Sequence, residues 1–122
     1  IVDAYFGVIE RISDQCEVLE EEILGRPSRQ VLQKAHLLKR EISRLRRSIW
    51  PMRELIGTLQ RSQLHFFRDE TRIYLRDIYD HAVHLLEQLE DLRDLLTGLL
   101  DIYLNSVSNR VNLEVRTLTL LT

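Results

Sequence analysis

Apolar residues recur along nearly the whole chain at alternating spacings of three and four, and this constrains the fold more than any other feature. Tyr5, Ile9, Ile12, Cys16, Leu19 and Ile23 form one such series. Val31, Ala35, Leu38, Ile42, Leu45, Ile49, Met52, Ile56 and Leu59 form a second. Ile78, Ala82, Leu85, Leu89, Leu92, Leu96, Leu99 and Tyr103 form a third. A helix collects residues so spaced onto one stripe, whereas a strand, with its period of two, scatters them over both faces. Seams of this kind held over two heptads or more mark long helices packed as coiled coils. The expected fold class is therefore all-α: a long antiparallel helical hairpin packed, coiled-coil-like, on a longer third helix. Four Gly and two Pro agree, being too few for a sheet protein with many turns.

Residues 1–25 are assigned to helix one and residues 26–62 to helix two, which itself runs from about residue 28 to 61. Gly25-Arg26-Pro27-Ser28 separates them. Gly25 can take the left-handed geometry that closes a helix, and Ser28 can cap the next one. So short a gap joins only an antiparallel pair. Pro51 lies inside helix two; its ring crowds the carbonyl of Arg47 and removes one hydrogen bond, so a kink is expected, while the seam continues in phase. Ser62 to Arg68 reads as a connection with a short turn at Phe66 and Phe67. The third helix, residues 69–122, begins near Asp69 or Thr71 as cap. At about 1.5 Å per residue it is about 78 Å long, too long to bury itself against a hairpin of about 50 Å.

The end of that third helix changes face. After Tyr103 the next seam positions are Ser106 and Arg110, and Leu104, Val107 and Val111 carry the apolar pattern instead. Asp101, Asn105, Ser108 and Asn112 follow one another at spacings of four, three and four, a narrow polar stripe. In a self-associating ring such a stripe surrounds an axis, and its carboxylate, amide and hydroxyl oxygens suit a hydrated Mg²⁺ that keeps its water shell. A solvated helix end gives the same spacing. Leu104, Val107, Val111, Leu118 and Leu120 leave an apolar surface that calls for a partner, so self-association is expected.

Composition removes several function classes. A net charge of −2 provides no global field to recruit nucleic acid. The basic set Lys39, Arg40, Arg44, Arg46 and Arg47 is spread around a helix of heptad core, with the acidic helix one as available partner, so no nucleic-acid role is assigned. One cysteine excludes an internal disulfide and suits a reducing compartment. No run approaches the roughly 20 apolar residues of a membrane span. The chain opens on Ile1-Val2-Asp3 without Met and reads as a soluble piece of something larger. Cys16 holds a core position. Asp77, Asp80, His81 and His84 lie within two turns, but Ala82 and Leu85 put the seam between them, which makes them surface residues rather than a Zn²⁺ site. No phosphate loop, nucleophile triad or acid pair is present, so the chain is not read as an enzyme.

Longer stretches carry a family likeness. Val18-Leu19-Glu20-Glu21-Glu22-Ile23-Leu24 precedes Arg26-Pro27, and His36-Leu37-Leu38-Lys39-Arg40 follows. Then come Ile49-Trp50-Pro51-Met52-Arg53-Glu54, Tyr74-Leu75-Arg76-Asp77-Ile78-Tyr79-Asp80-His81, and Gly98-Leu99-Leu100-Asp101-Ile102-Tyr103-Leu104-Asn105-Ser106-Val107-Ser108-Asn109. In order and over nearly the whole chain, these resemble the cytoplasmic part of the CorA family of metal-ion transporters. The resemblance implies a homopentamer in the cell inner membrane that carries Mg²⁺, with Co²⁺ or Ni²⁺ as further cargo. In that family a hairpin of two "willow" helices packs beside a stalk helix that continues as the first, pore-lining membrane span. An N-terminal α/β domain and the membrane spans with their Gly-Met-Asn loop would be absent from this stretch, which would lie on the cytoplasmic side.

Roles follow residue by residue from the same resemblance. Asp77 matches the stalk aspartate that helps hold a regulatory Mg²⁺ between protomers, its partner acids belonging mostly to the α/β domain. Asp101 and Asn112 match the stalk aspartate and the asparagine near the cytoplasmic pore mouth, and Asn105 and Ser108 share their stripe. Val115 and Leu118 fall where the family narrows its pore with apolar side chains; Val115 replaces a frequent Met, which puts the width in doubt. Glu17, Glu20, Glu21 and Glu22 at the hairpin tip correspond to a negative surface that concentrates cations, and they also read as a solvated helix end. Two alternatives remain: an autonomous coiled-coil scaffold, and a Zn²⁺-carrying relative within the family.

Overall fold

The computed structural model describes residues 2–26, 28–62 and 68–121. They form three helices, α1 (Val2–Gly25), α2 (Arg29–Ser62) and α3 (Asp69–Leu121). At about 1.5 Å per residue these are about 36, 51 and 80 Å long. Phe6 of α1 lies against His81 and His84 of α3, and further along α1 Ser13 shares a groove with Asp91 and Leu92. The two helices therefore run parallel. On α2 the order is reversed: Gly57 meets Tyr79, while Arg46 reaches Glu90. The fold is all-α, with an antiparallel α1–α2 hairpin laid along the first part of α3.

The three apolar seams meet in one core. Ile9, Ile12, Cys16, Leu19 and Ile23 of α1 are buried, as are Val31, Ala35, Leu38, Ile42 and Ile49 of α2. From α3, Ala82, Leu85, Leu89, Leu96 and Leu99 join them, with Tyr5, Leu45, Met52, Ile78, Leu92 and Tyr103 half-buried at the edges. No polar or charged residue among those described is buried. Each fully buried Leu or Ile contributes about 1.5–3 kcal/mol relative to exposure, so the seams are what hold the bundle together. Leu86 and Leu100 are also buried, although neither belongs to the third seam. The reason is that α3 faces two helices at once, and a stripe that serves two neighbours must be wider than an a/d line.

Helix ends differ in detail from the expectations. Ser28 does cap α2: its Oγ accepts from the N–H of Val31 at 3.4 Å, and its carbonyl from Leu32. Gly25, by contrast, ends α1 without a left-handed backbone. At the start of α3 the carbonyl of Arg68 accepts from the N–H of Arg72, which puts Arg68, not Asp69 or Thr71, in the capping position. Asp69 is the first helical residue, where its charge suits the positive end of the helix dipole, and it pairs with Arg72. α2 runs unbroken through Pro51. The turn expected at Phe66 and Phe67 lies outside the described residues.

Ion pairs decorate the surface. Arg11–Glu41 (3.1 Å) and Lys34–Glu22 (3.9 Å) tie α1 to α2. Arg46 pairs with Glu90 of α3 at 3.5 Å, and Arg47 donates to the carbonyl of Ser43 on its own helix. These two members of the basic set thus do not use α1 as their partner, because Arg46 lies on the α3 side of α2.

Candidate functional site

α3 passes the hairpin tip at about Ile102 and continues for about twenty residues, close to 30 Å at 1.5 Å per residue. Over this length every described side chain is exposed except Tyr103 and Ser106, which are half-buried beside the tip. Asp101, Asn105, Ser108 and Asn112 all face solvent on one side of the helix. Val115 and Leu118 are exposed as well, at 54% and 63%.

The polar stripe is flanked on both sides. Leu104, Val107 and Val111 make one apolar line, and Ile102, Leu113 and Leu120 make another, all of them exposed. At about 100° per residue the two lines lie on opposite sides of the stripe. A helix that meets only water has no use for apolar flanks, whereas one that sits between two like neighbours buries both and keeps the stripe on a shared axis. Thr117 and Thr119 further suit an apolar setting: each hydroxyl donates at 2.9 Å to a carbonyl one turn back, of Leu113 and Val115.

The stripe also extends further toward the start of α3 than the local spacings suggested. Asp80, Glu87, Asp94, Asp101, Ser108 and Val115 follow one another at intervals of seven, and all six are exposed. Each step rises about 10.5 Å and turns by about 20° on a straight helix, so four carboxylates and the polar stripe follow one slow spiral about 50 Å long. Strict sevens in the sequence carry this signal, but a search for ligands within two turns passes over it.

Other candidate residues are placed separately. Asp77 is exposed about two turns into α3. Among the described residues no three His, Cys, Asp or Glu side chains come together as a metal cage, at Asp77 or elsewhere. His81 and His84 are exposed, and their rings rest against Phe6 with centroids 5.8 and 6.4 Å away. On α1, Glu17 and Glu21 are exposed, Glu20 is half-buried, and Glu22 is turned toward Lys34. Glu10 and Asp14 complete an outward acidic line with Glu17 and Glu21 at spacings of four, three and four. Cys16 is fully buried, and burial pushes its thiol up to about 11, so it is a core residue and a poor nucleophile. No described helix is long and apolar enough to cross a membrane.

These features define an all-α stalk-and-hairpin protein whose long helix keeps one polar face open past the end of the bundle. A model of the CorA-like Mg²⁺ transporter protein family matches residues 1–122, and the chain belongs to that family. It is 44% identical over 121 residues to a cobalt/magnesium transport protein CorA of Thermotoga maritima, covering 99% of this chain and 34% of that protein. A cobalt/magnesium transport protein CorA of Methanocaldococcus jannaschii is 25% identical over 122 residues, 38% of its length. The solved structure of the complete CorA magnesium transporter from the same organism superposes with a TM-score of 0.91, covering all of this chain and 38% of that one. The chain thus spans little more than a third of the relatives it matches.

Proposed function

We propose that the chain is the cytoplasmic hairpin and stalk of a pentameric divalent-cation transporter of the inner membrane, with Mg²⁺ as cargo. The observation that carries this reading is the free end of α3, a polar stripe between two apolar flanks. Five such helices side by side would bury the flanks and turn Asp101, Asn105, Ser108 and Asn112 toward a common axis. Oxygens so placed hydrogen-bond the water shell of Mg²⁺ without stripping it. Rings of Val115 and Leu118 next along the axis would close it by dewetting.

Regulation follows from Asp77. A carboxylate that meets acids of a neighbouring copy repels them, and a bound Mg²⁺ relieves the repulsion. Loss of the ion loosens the ring and shifts the population toward an open state. The acidic line at Asp80, Glu87 and Asp94 continues the axis above Asp101 and, like Glu17 and Glu21, adds negative potential that raises the local cation concentration.

The test is Mg²⁺ uptake into vesicles that contain the full-length parent protein. Leu118→Ser, which wets the constriction, is expected to raise flux severalfold. Asp77→Ala is expected to weaken the inhibition of flux by internal Mg²⁺. If Leu118→Ser leaves both the rate and the closed state unchanged in a correctly assembled oligomer, α3 does not line the path.

A further inference from the structure

One position on the open face of α3 carries no side chain. Asp91, Gly98, Asn105 and Asn112 follow one another at intervals of seven, all exposed, beside the series from Asp80 to Ser108. Every other member of these two series bears a carboxylate, amide or hydroxyl oxygen, so Gly98 is the gap in them. It lies four residues past Asp94 and three before Asp101, which continues the alternating spacing of the polar stripe. Thr97 on the same turn is small as well, and its hydroxyl is turned back to donate to the carbonyl of Arg93 at 3.0 Å.

Nothing inside the chain asks for glycine here. The backbone of Gly98 is helical, without a positive φ. A Cβ built on it would meet no atom of the described residues within 4 Å outside its own helical backbone. Glycine in a helix interior is less favourable than alanine, because it loses more backbone freedom on folding and packs nothing. Gly57 is the opposite case: a Cβ there would come within 3.3 Å of the Tyr79 ring, so the close approach of α2 to α3 accounts for that glycine. The use of Gly98 therefore lies outside the chain, on the face that the proposed ring turns to its axis.

We infer that Gly98 sets the width of the bore between the rings of Asp94 and Asp101, leaving room for a cation that keeps its water shell. The inference rests on the proposed ring and adds a size-determining residue to it. The two carboxylates are seven residues apart, about 10.5 Å along the helix. Mg²⁺ holds its oxygens at about 2.0–2.1 Å and dehydrates reluctantly, so its passage must admit the ion with water attached. In the ring, five side chains at position 98 would project into that space, and five glycines leave it open. The diameter of a pore is one of the properties by which it selects.

The test is Mg²⁺ uptake into vesicles that contain the full-length parent protein, with chromatography to confirm that each variant assembles. Flux is expected to fall with the volume added, about twofold for Gly98→Ala and about tenfold or more for Gly98→Leu. Gly7→Leu, at an equally open glycine of α1, is expected to leave flux unchanged. The melting temperature of Gly98→Ala is expected to be no lower than that of the native protein. Native flux in Gly98→Leu, while Leu118→Ser raises it, overturns the inference and leaves the axis reading of α3 intact. If neither variant alters flux, both readings fail. Equal losses for Ala and Leu also overturn the inference, because they assign Gly98 to bending of the helix and not to width. So does a lower melting temperature for Gly98→Ala, which would mean that neighbouring helices close on this glycine.

Discussion

Residues 82–100 and residues 104–120 belong to one unbroken helix and hold similar apolar side chains, yet they live in different surroundings. Leu85, Leu89 and Leu96 are fully buried, whereas Leu104 and Val111 are 57% and 50% exposed. The difference lies not in the residues but in their neighbours: the hairpin covers the first stretch, and among the described residues nothing beyond the tip reaches the second. In the covered stretch the apolar residues form one wide stripe. In the free stretch they split into two lines with polar oxygens between them. A single stripe fits a core that is complete within one chain, while a split pattern fits contacts on two sides, as between like neighbours.

The sharpest way to break this comparison is to shorten one side chain in each stretch. Leu89→Ala should lower unfolding stability by about 2–5 kcal/mol, read from urea denaturation, because it leaves a cavity in the core. Val111→Ala should change it by less than about 0.5 kcal/mol at a dilution where the chain is monomeric, and should act on self-association instead. Equal losses would mean that the free end is buried within the monomer after all.

Alkaline pH probes the covered stretch from within. Burial raises the Cys16 thiol from 9.0 to about 11, so the folded chain holds a proton that the unfolded chain releases. The stabilisation is complete below pH 9 and is lost as pH rises through 9 to 11, approaching roughly 2–3 kcal/mol. Denaturation of the native chain across this window, set beside Cys16→Ala, should show that slope only where the thiol is present.

Smaller effects are expected at the bundle's ends and rim. Ser28→Ala removes the α2 cap and should cost about 0.5–1 kcal/mol in thermal or urea unfolding. A double-mutant cycle on Arg11 and Glu41 should give a coupling below about 1 kcal/mol that fades with salt, since the Arg11 side chain is 62% exposed and that of Glu41 38%. A large coupling there would mean that the rim of the bundle is less like the free end than its exposure indicates.

Much of the covered stretch was legible in the sequence, because a/d spacing reports burial wherever a helix packs along one line. Leu86 and Leu100 were not, since their burial depends on α3 having two partners, a fact about the assembly of helices and not about any one of them. The Arg46–Glu90 pair escaped for the same reason. At the free end the stripe Asp101 to Asn112 stood out by its local spacing. Its continuation through Glu87 and Asp94 did not, because those acids are separated by seven residues of core pattern. The start of α3 shows a further limit: Asp69 has the chemistry of a cap, but the backbone placed Arg68 there, and cap preference is a matter of a kilocalorie or so that local geometry readily overrides.

That α3 is a single helix from Asp69 to Leu121 has a mechanical consequence. A helix with no proline and an unbroken hydrogen-bond ladder acts as a lever, and the hairpin grips it near one end. A tilt of about 5° at the grip carries a tip about 30 Å away through about 3 Å, comparable with the diameter of a water molecule. In the ring proposed above, small changes in how the bundle sits would therefore arrive at Val115 and Leu118 as changes in bore, with no need for any rearrangement along the shaft between them.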